Sequence, residues 1–218
     1  MNSETNKVSD KNDLRFHEIN SINDDLLLPW LDLYEKAFPP EEKVLVSLFL
    51  SKLKKRADLQ SPPNECFLSA IDKEKNLLCI SFFSISPKNQ VAFLWYLAVQ
   101  ENLRNKGIGS LAYRETISRC QRHDNLKAAI FEVEIPEKAP DLEHKKLSER
   151  RIKFYKRHGA KLIGGVDYFQ QVGSHQPPVP MYLMIHPFKS FHKDECFSLI
   201  KNFFGDSVTQ TGNIYLEG

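Results

Sequence analysis

Apolar positions along the chain recur with two periods. Leu27, Trp30, Leu31 and Tyr34 share one helical face within Leu26–Phe38, and Val44, Leu48 and Leu53 do so within Glu41–Leu59, which predicts two helices ahead of the first strand. Between them, Phe38-Pro39-Pro40-Glu41-Glu42 reads as a helix start, since proline loses nothing at the first helical position and acidic residues complement the helix dipole. Phe67–Ile71, the turn Asp72–Asn76 and Leu77–Ile85 then read as a hairpin. Val91–Val99 is apolar on both faces, as in a central strand covered on both sides. Helical spacing returns in Gly107–Arg122 and Ser148–His158, with β-like runs at Lys127–Ile135 and Val179–Ile185. Asp141–Lys146 reads as a polar connection and Pro177–Pro180 as a stiff loop. Alternating strands and helices after an antiparallel opening predict a mixed sheet, α/β or α+β.

Length and composition add bounds. With 218 residues, 41% of them hydrophobic, the chain can bury one core, so one domain with extensions is expected. Residues 1–13 are polar and predict a flexible tail, 14–186 the domain, and 187–218 a C-terminal extension. In that extension Phe191, Phe197, Leu199, Ile200, Phe203 and Phe204 suit an amphipathic helix packed on the sheet, or alternatively a dimer contact. Lys and Arg number 30 against 28 Asp and Glu, so no global field points to nucleic acid or an anionic membrane, and neither is expected as a partner. The basic cluster Lys52-Lys54-Lys55-Arg56 is what a helix C-terminus favours anyway. Cys66, Cys79, Cys120 and Cys196 are scattered, with no Cys-x-x-Cys pair, which points away from zinc and from a disulfide framework. No secretory leader pattern and no apolar run of ~20 residues is present, so a cytoplasmic setting is the default expectation.

The segment richest in chemistry is Arg104-Asn105-Lys106-Gly107-Ile108-Gly109-Ser110, between a buried strand and a helix. The first turn of a helix offers unpaired N–H groups and a partial positive charge, and glycines let a phosphate approach the backbone. Arg104 and Lys106 add formal charge. Taken alone, Gly107-x-Gly109 is equally a tight strand-to-helix turn. It fits neither common nucleotide loop, because no Gly-Lys-Ser/Thr follows and Ala112 stands where a third glycine would be.

Arg-x-x-Gly-x-Gly after a hydrophobic strand resembles the acetyl-CoA signature of the GNAT superfamily of acetyltransferases. A second mark, Phe154-Tyr155-Lys156-Arg157-His158-Gly159-Ala160, resembles the family's Tyr-x-x-x-Gly-Phe/Ala, and a strand with Phe131-Glu132-Val133 lies between the two. The resemblance spans Phe67 to Ile185. It implies a mostly antiparallel central sheet, flanked by helices and splayed at the middle, where Val91–Val99 parts from Ala128–Ile135. Pantetheine would lie in that gap, pairing with the backbone of Leu97, Ala98 and Val99 as an added strand. The pyrophosphate would sit on the amides of Arg104, Asn105, Lys106, Gly107, Ile108, Gly109 and Ser110.

The implied activity is transfer of the acetyl group of acetyl-CoA, as cosubstrate, to the amine of a small molecule or peptide by direct attack in a ternary complex. Such transfer needs a neutral amine, so something must take a proton from the ammonium, often through water, and a carboxylate near the thioester suits this. Glu132 stands at the family's position for that base, and Glu134, two residues on, shares its face. If both carboxylates occupied one pocket, repulsion would raise one of them toward neutrality. Tyr155 matches the tyrosine that protonates the departing thiolate. Ser148 stands where many relatives carry asparagine, and Pro136–Leu147 is longer than usual. The acceptor would be bound around Phe38–Glu42 and Tyr168–Pro180, with Glu41, Glu42, Glu134 and Asp167 as candidates to attract it; a monomer or homodimer is expected. Two other readings are a non-catalytic acyl-CoA sensor and a dinucleotide dehydrogenase, the latter opposed by the missing glycine and the antiparallel opening.

Overall fold

The computed structural model describes residues 14–56, 64–170, 177–190 and 192–218. The predicted tail, the end of the second predicted helix beyond Arg56, and Phe191 fall outside them. Along the chain come β1 (Arg15–Ile19), α1 (Leu27–Ala37), α2 (Val46–Arg56), β2 (Glu65–Ile71), β3 (Leu77–Ser86), β4 (Val91–Val99), α3 (Ile108–Gln121), β5 (Ala128–Glu134), α4 (Leu142–Arg157), β6 (Lys161–Gln170), β7 (Val179–Pro187), α5 (Lys193–Phe204) and β8 (Val208–Glu217). The strands form an open sheet ordered β1-β2-β3-β4-β5-β7-β6-β8. Every neighbouring pair is antiparallel except β4–β5. The fold is therefore mixed α/β, with helices on both faces of a mostly antiparallel sheet.

Side-chain alternation assigns the two faces. α1 and α2 lay Trp30, Tyr34 and Phe49 on Phe67, Phe82 and Tyr96 of β2–β4. Full burial of each such ring contributes about 1.5–3 kcal/mol. Trp30 also donates from Nε1 to the Leu68 carbonyl at 3.2 Å, so its one polar atom is satisfied. α5 covers the other half of this face, over Val91, Phe93, Ala128 and Ile130. The opposite face holds α3 and α4, packed through Tyr113, Ile117 and Tyr155 on Leu94, Phe131 and Val133.

Two irregularities shape the centre. The parallel pairing of β4 with β5 lasts only from Val91↔Ala128 to Phe93↔Ile130, after which the strands part. In the pairing of β3 with β4, Phe82 faces Tyr96 and Phe83 faces Leu94, so Trp95 is a bulge with no opposite residue. Trp95 is 43% exposed, which corrects the expectation that β4 is covered along its whole length.

Other corrections concern ends and edges. A strand, β1, precedes the helices and pairs with β2. Pro40–Glu42 forms a single 3-10 turn, and the helix proper starts at Val46, burying Phe49 and Leu53 while Leu48 stays exposed. Asp141 is no connector: its carboxylate accepts from the His144 N–H at 2.9 Å and caps α4, which begins at Leu142. Val179 and Pro180, which the sequence placed both in a stiff loop and at the start of a strand, begin β7. Past α5 the chain returns as β8 against β6. Among the described residues no helix is long and apolar enough to cross a membrane.

Candidate active site

At the end of β4 the chain makes a 3-10 turn, Glu101–Leu103, and then a loop in which Asn105 (φ 67°) and Gly107 (φ 85°) are both left-handed. This pair of reversals aims the first turn of α3 at the loop. That turn carries no acidic residue and no side-chain cap, so its N–H groups keep the positive end of the dipole open. Arg104 pairs only loosely with Glu101, at 4.0 Å, and Arg150 of α4 donates to the Asn105 side chain from across the loop. A Cβ on Gly109 would stand 3.3 Å from Val99 Cγ2 and 3.9 Å from the Phe154 ring. Gly109 therefore lets α3 close onto β4 and α4 as well as leaving the turn bare. Ser110 Oγ meets His158 Nε2 at 2.9 Å.

The parting of β4 and β5 opens a pocket through the middle of the sheet. Its walls include Leu94, Trp95, Tyr96 and Leu97 of β4, Phe131 and Glu132 of β5, and Arg151 and Tyr155 of α4. Phe38 and Glu42 close one end; Tyr96 holds them there, donating from its hydroxyl to the Glu42 carbonyl at 2.8 Å. From Leu94 onward, the edge of β4 facing β5 has no strand partner among the described residues. Leu97, Ala98 and Val99 lie on this stretch, and Arg104–Ser110 follow directly at its end.

Glu132 and Tyr155 come from opposite faces of the sheet and both line the gap. Glu132 accepts a bond from the Tyr168 hydroxyl and another from Gln170 Nε2 at 2.6 Å. Burial pushes its carboxyl up to about 7, while the two donated bonds, which favour the anion, hold it from rising further. Tyr155 is buried, packs on Phe131 at 4.3 Å between ring centres, and is pushed up to about 12 by burial, with the Arg151 charge opposing. It is a proton donor throughout the neutral range. Glu134 does share the face of Glu132, yet its carboxylate is paired with Arg151. The expected mutual repulsion is corrected accordingly: burial, not a second carboxylate, raises Glu132.

A profile of the Acetyltransferase (GNAT) family matches residues 27–160, well over half of the chain. The chain belongs to that family. As a GNAT protein it is an acyltransferase, and solved GNAT structures share its fold. A GNAT-family protein of Bacteroides thetaiotaomicron superposes with a TM-score of 0.65 at 22% identity, over 88% of this chain and 98% of its own. The spermidine N-acetyltransferase of Vibrio cholerae, solved with CoA and spermine, gives 0.57 at 12% identity, over 80% and 95%. The ribosomal-protein-S18-alanine N-acetyltransferase of Escherichia coli gives 0.54 at 12%, over 83% and 97%. No curated protein sequence matches the chain significantly.

Within this GNAT frame the structure adds residues that sequence reasoning passed over. Arg151 stands one turn before Tyr155 and reaches the gap, a position that the helical spacing of α4 could have indicated. Tyr168 and Gln170, expected only as part of the acceptor region, reach Glu132 from β6, two strands away, and only the sheet order brings them there. Ser148, standing where many relatives have asparagine, is buried and donates to the His144 carbonyl at 3.0 Å, within its own helix. Of the predicted acceptor region, Phe38, Glu42 and Gln170 line the pocket, and residues 171–176 fall outside the described part.

Proposed function

We propose that this acyltransferase moves the acetyl group of acetyl-CoA to a primary amine by direct attack in a ternary complex. The observation that supports it best is a buried carboxyl with its midpoint at about 7, facing the same gap as a buried, protonated phenol. The residues present fit the cosubstrate: a gap with a strand edge unpartnered among the described residues leads to an open helix N-terminus flanked by Arg104 and Lys106. Bound there, acetyl-CoA supplies a thioester carbonyl with a thiolate as leaving group.

In this reading the backbone of Leu97, Ala98 and Val99 pairs with the pantetheine amides, and the amides of Arg104 to Ser110 hold the pyrophosphate. Glu132 takes a proton from the incoming ammonium, and near neutral pH about half of it is in the basic form. As the C–N bond forms and the C–S bond breaks, the Tyr155 hydroxyl protonates the departing sulfur; the nitrogen sheds its second proton to solvent, from which Tyr155 is reprotonated. The acceptor enters from the face of Glu132, where Phe38, Trp95 and Tyr96 offer ring faces and Glu42 a carboxyl, a setting that suits a cationic amine. The V. cholerae and E. coli structures, named for spermidine and a protein alanine, bracket the small-molecule and peptide choices. A cytoplasmic monomer or homodimer accompanies the reading; the four cysteines are free and buried, as a reducing compartment leaves them.

The test is calorimetry with acetyl-CoA, CoA and NAD, followed by thiol release against a panel of primary amines. Selective CoA binding with release on one amine class is expected. CoA binding with no release on any amine would favour a sensor, and absence of CoA binding would overturn the reading.

A further inference from the structure

Tyr168 and Gln170 stand on the face of Glu132 because β6 is irregular. Ile163 and Tyr168 are both buried against α5, although five residues separate them. In an unbroken strand an odd separation puts side chains on opposite faces. The irregularity shows in both pairings: against β7, five residues of β6 between Leu162 and Tyr168 face only two, and against β8, Gly165 alone faces residues 211–214. Gly165 holds φ 80°, and a Cβ there would stand 2.3 Å from the Asn213 carbonyl oxygen of β8. Without this irregularity, Asp167 and Phe169 would face Glu132 instead.

The C-terminal elements then close on Tyr168. Val208 of β8 is its strand partner, and the Phe204 ring of α5 lies 4.7 Å from it, tilted by 54°. Phe204 is itself seated edge-on against Phe93 of β4 at 5.5 Å. Tyr168 is 6% exposed, and its hydroxyl donates to Glu132.

We propose that the α5–β8 unit, which lies beyond the 27–160 stretch matched by the family profile, completes the active site by clamping Tyr168 so that Tyr168 and Gln170 position the Glu132 carboxyl. Tyr168 and Phe204 are thus positioning residues. The inference rests on Glu132 being the base. Around that carboxyl stand Tyr168 of β6, Tyr96 of β4, Glu42 of the Pro40–Glu42 turn, Arg151 and Tyr155 of α4, and Glu134 on its own strand. Tyr168 is the one whose loss removes a donor from the carboxylate while leaving the ring in place.

The experiment follows the Glu132 carboxyl directly, by carbon-13 NMR titration of the full chain, with its signal assigned by its absence in Glu132→Gln. No acceptor amine is needed. In Tyr168→Phe the midpoint is expected to rise by about one pH unit, because a bond that favours the anion is gone. In Phe204→Leu, where the hydroxyl remains but its ring is less firmly held, a smaller rise in the same direction is expected. CoA affinity by calorimetry should stay within about twofold in both. An unchanged midpoint in Tyr168→Phe overturns the positioning role. A shift in Tyr168→Phe alone overturns the part assigned to the C-terminal unit. Should Tyr168→Phe not fold, Phe204→Leu decides by the same midpoint. Failure of the base reading is separate: it shows as undiminished thiol release by Glu132→Gln, wherever the midpoints fall.

Discussion

A carboxyl taken out of water keeps its proton to higher pH, because the anion loses more solvation than the acid does. For Glu132 this bears on stability and, in the proposed reaction, on catalysis. Its folded midpoint, about 7, lies above the ordinary value of 4.5, so its favourable contribution to folding is complete below about pH 4.5 and is lost as pH rises through 7. Between pH 4.5 and 9, the stability of Glu132→Gln relative to the parent is therefore expected to improve by up to roughly 3 kcal/mol, read from urea midpoints at both pH values. Glu132→Gln should also lower kcat about 10²–10⁴-fold, and the parent's kcat/KM should climb through about pH 7 on its acidic side. Tyr155→Phe removes only a hydroxyl from a packed ring. Thiol release should slow about 10–100-fold with CoA affinity unchanged, whereas a purely packing role would leave both intact. Glu132 and Tyr155 were legible because each sits inside a short motif. The bonds that Tyr168 and Gln170 make to Glu132 were not, since nothing local marks a side chain whose partner is two strands away.

Among the elements, the turn into α3 was the most legible, because its conformation is written in residue types that few other structures require. Gly107 at φ 85° is reached by glycine without strain, and alanine there costs about 1 kcal/mol and displaces the first turn. Gly107→Ala is expected to weaken CoA binding about tenfold by calorimetry, with kcat at saturating acetyl-CoA nearly preserved. Less legible were β1 and the start of α4. In Arg15–Ile19 only Ile19 is buried, so an edge strand of five residues leaves little alternation to read. The first turn of α4 carries Leu142 at 66% exposure, and Leu147 is 49% exposed, so the apolar stripe that announces a helix is missing. Its start is decided instead by the Asp141 cap.

On the scale of the whole molecule, the site exists because the sheet fails to close at its centre and is held open from both ends. α1, α2 and the Pro40–Glu42 turn brace β4, while α5 and β8 brace β6 and, through Tyr168, β5. Gly165→Ala tests this bracing: the new Cβ would meet the Asn213 carbonyl, so β8 must shift away. A loss of about 2–4 kcal/mol in urea unfolding is expected, with kcat falling more than CoA affinity because Val208, the strand partner of Tyr168, moves with β8. The amino-acid sequence by itself determined the mixed α/β class, the hairpin, the glycine turn into α3 and the motif positions of Glu132 and Tyr155, all of which depend on period, turn chemistry and residues within a dozen positions of one another. Only the tertiary structure decided the order of the strands, the bulges at Trp95 and Gly165, the pairing of Glu134 with Arg151, and the seat of Tyr168. Those depend on which distant segments are brought side by side, and hydrophobic patterning says that a face is buried without saying what buries it.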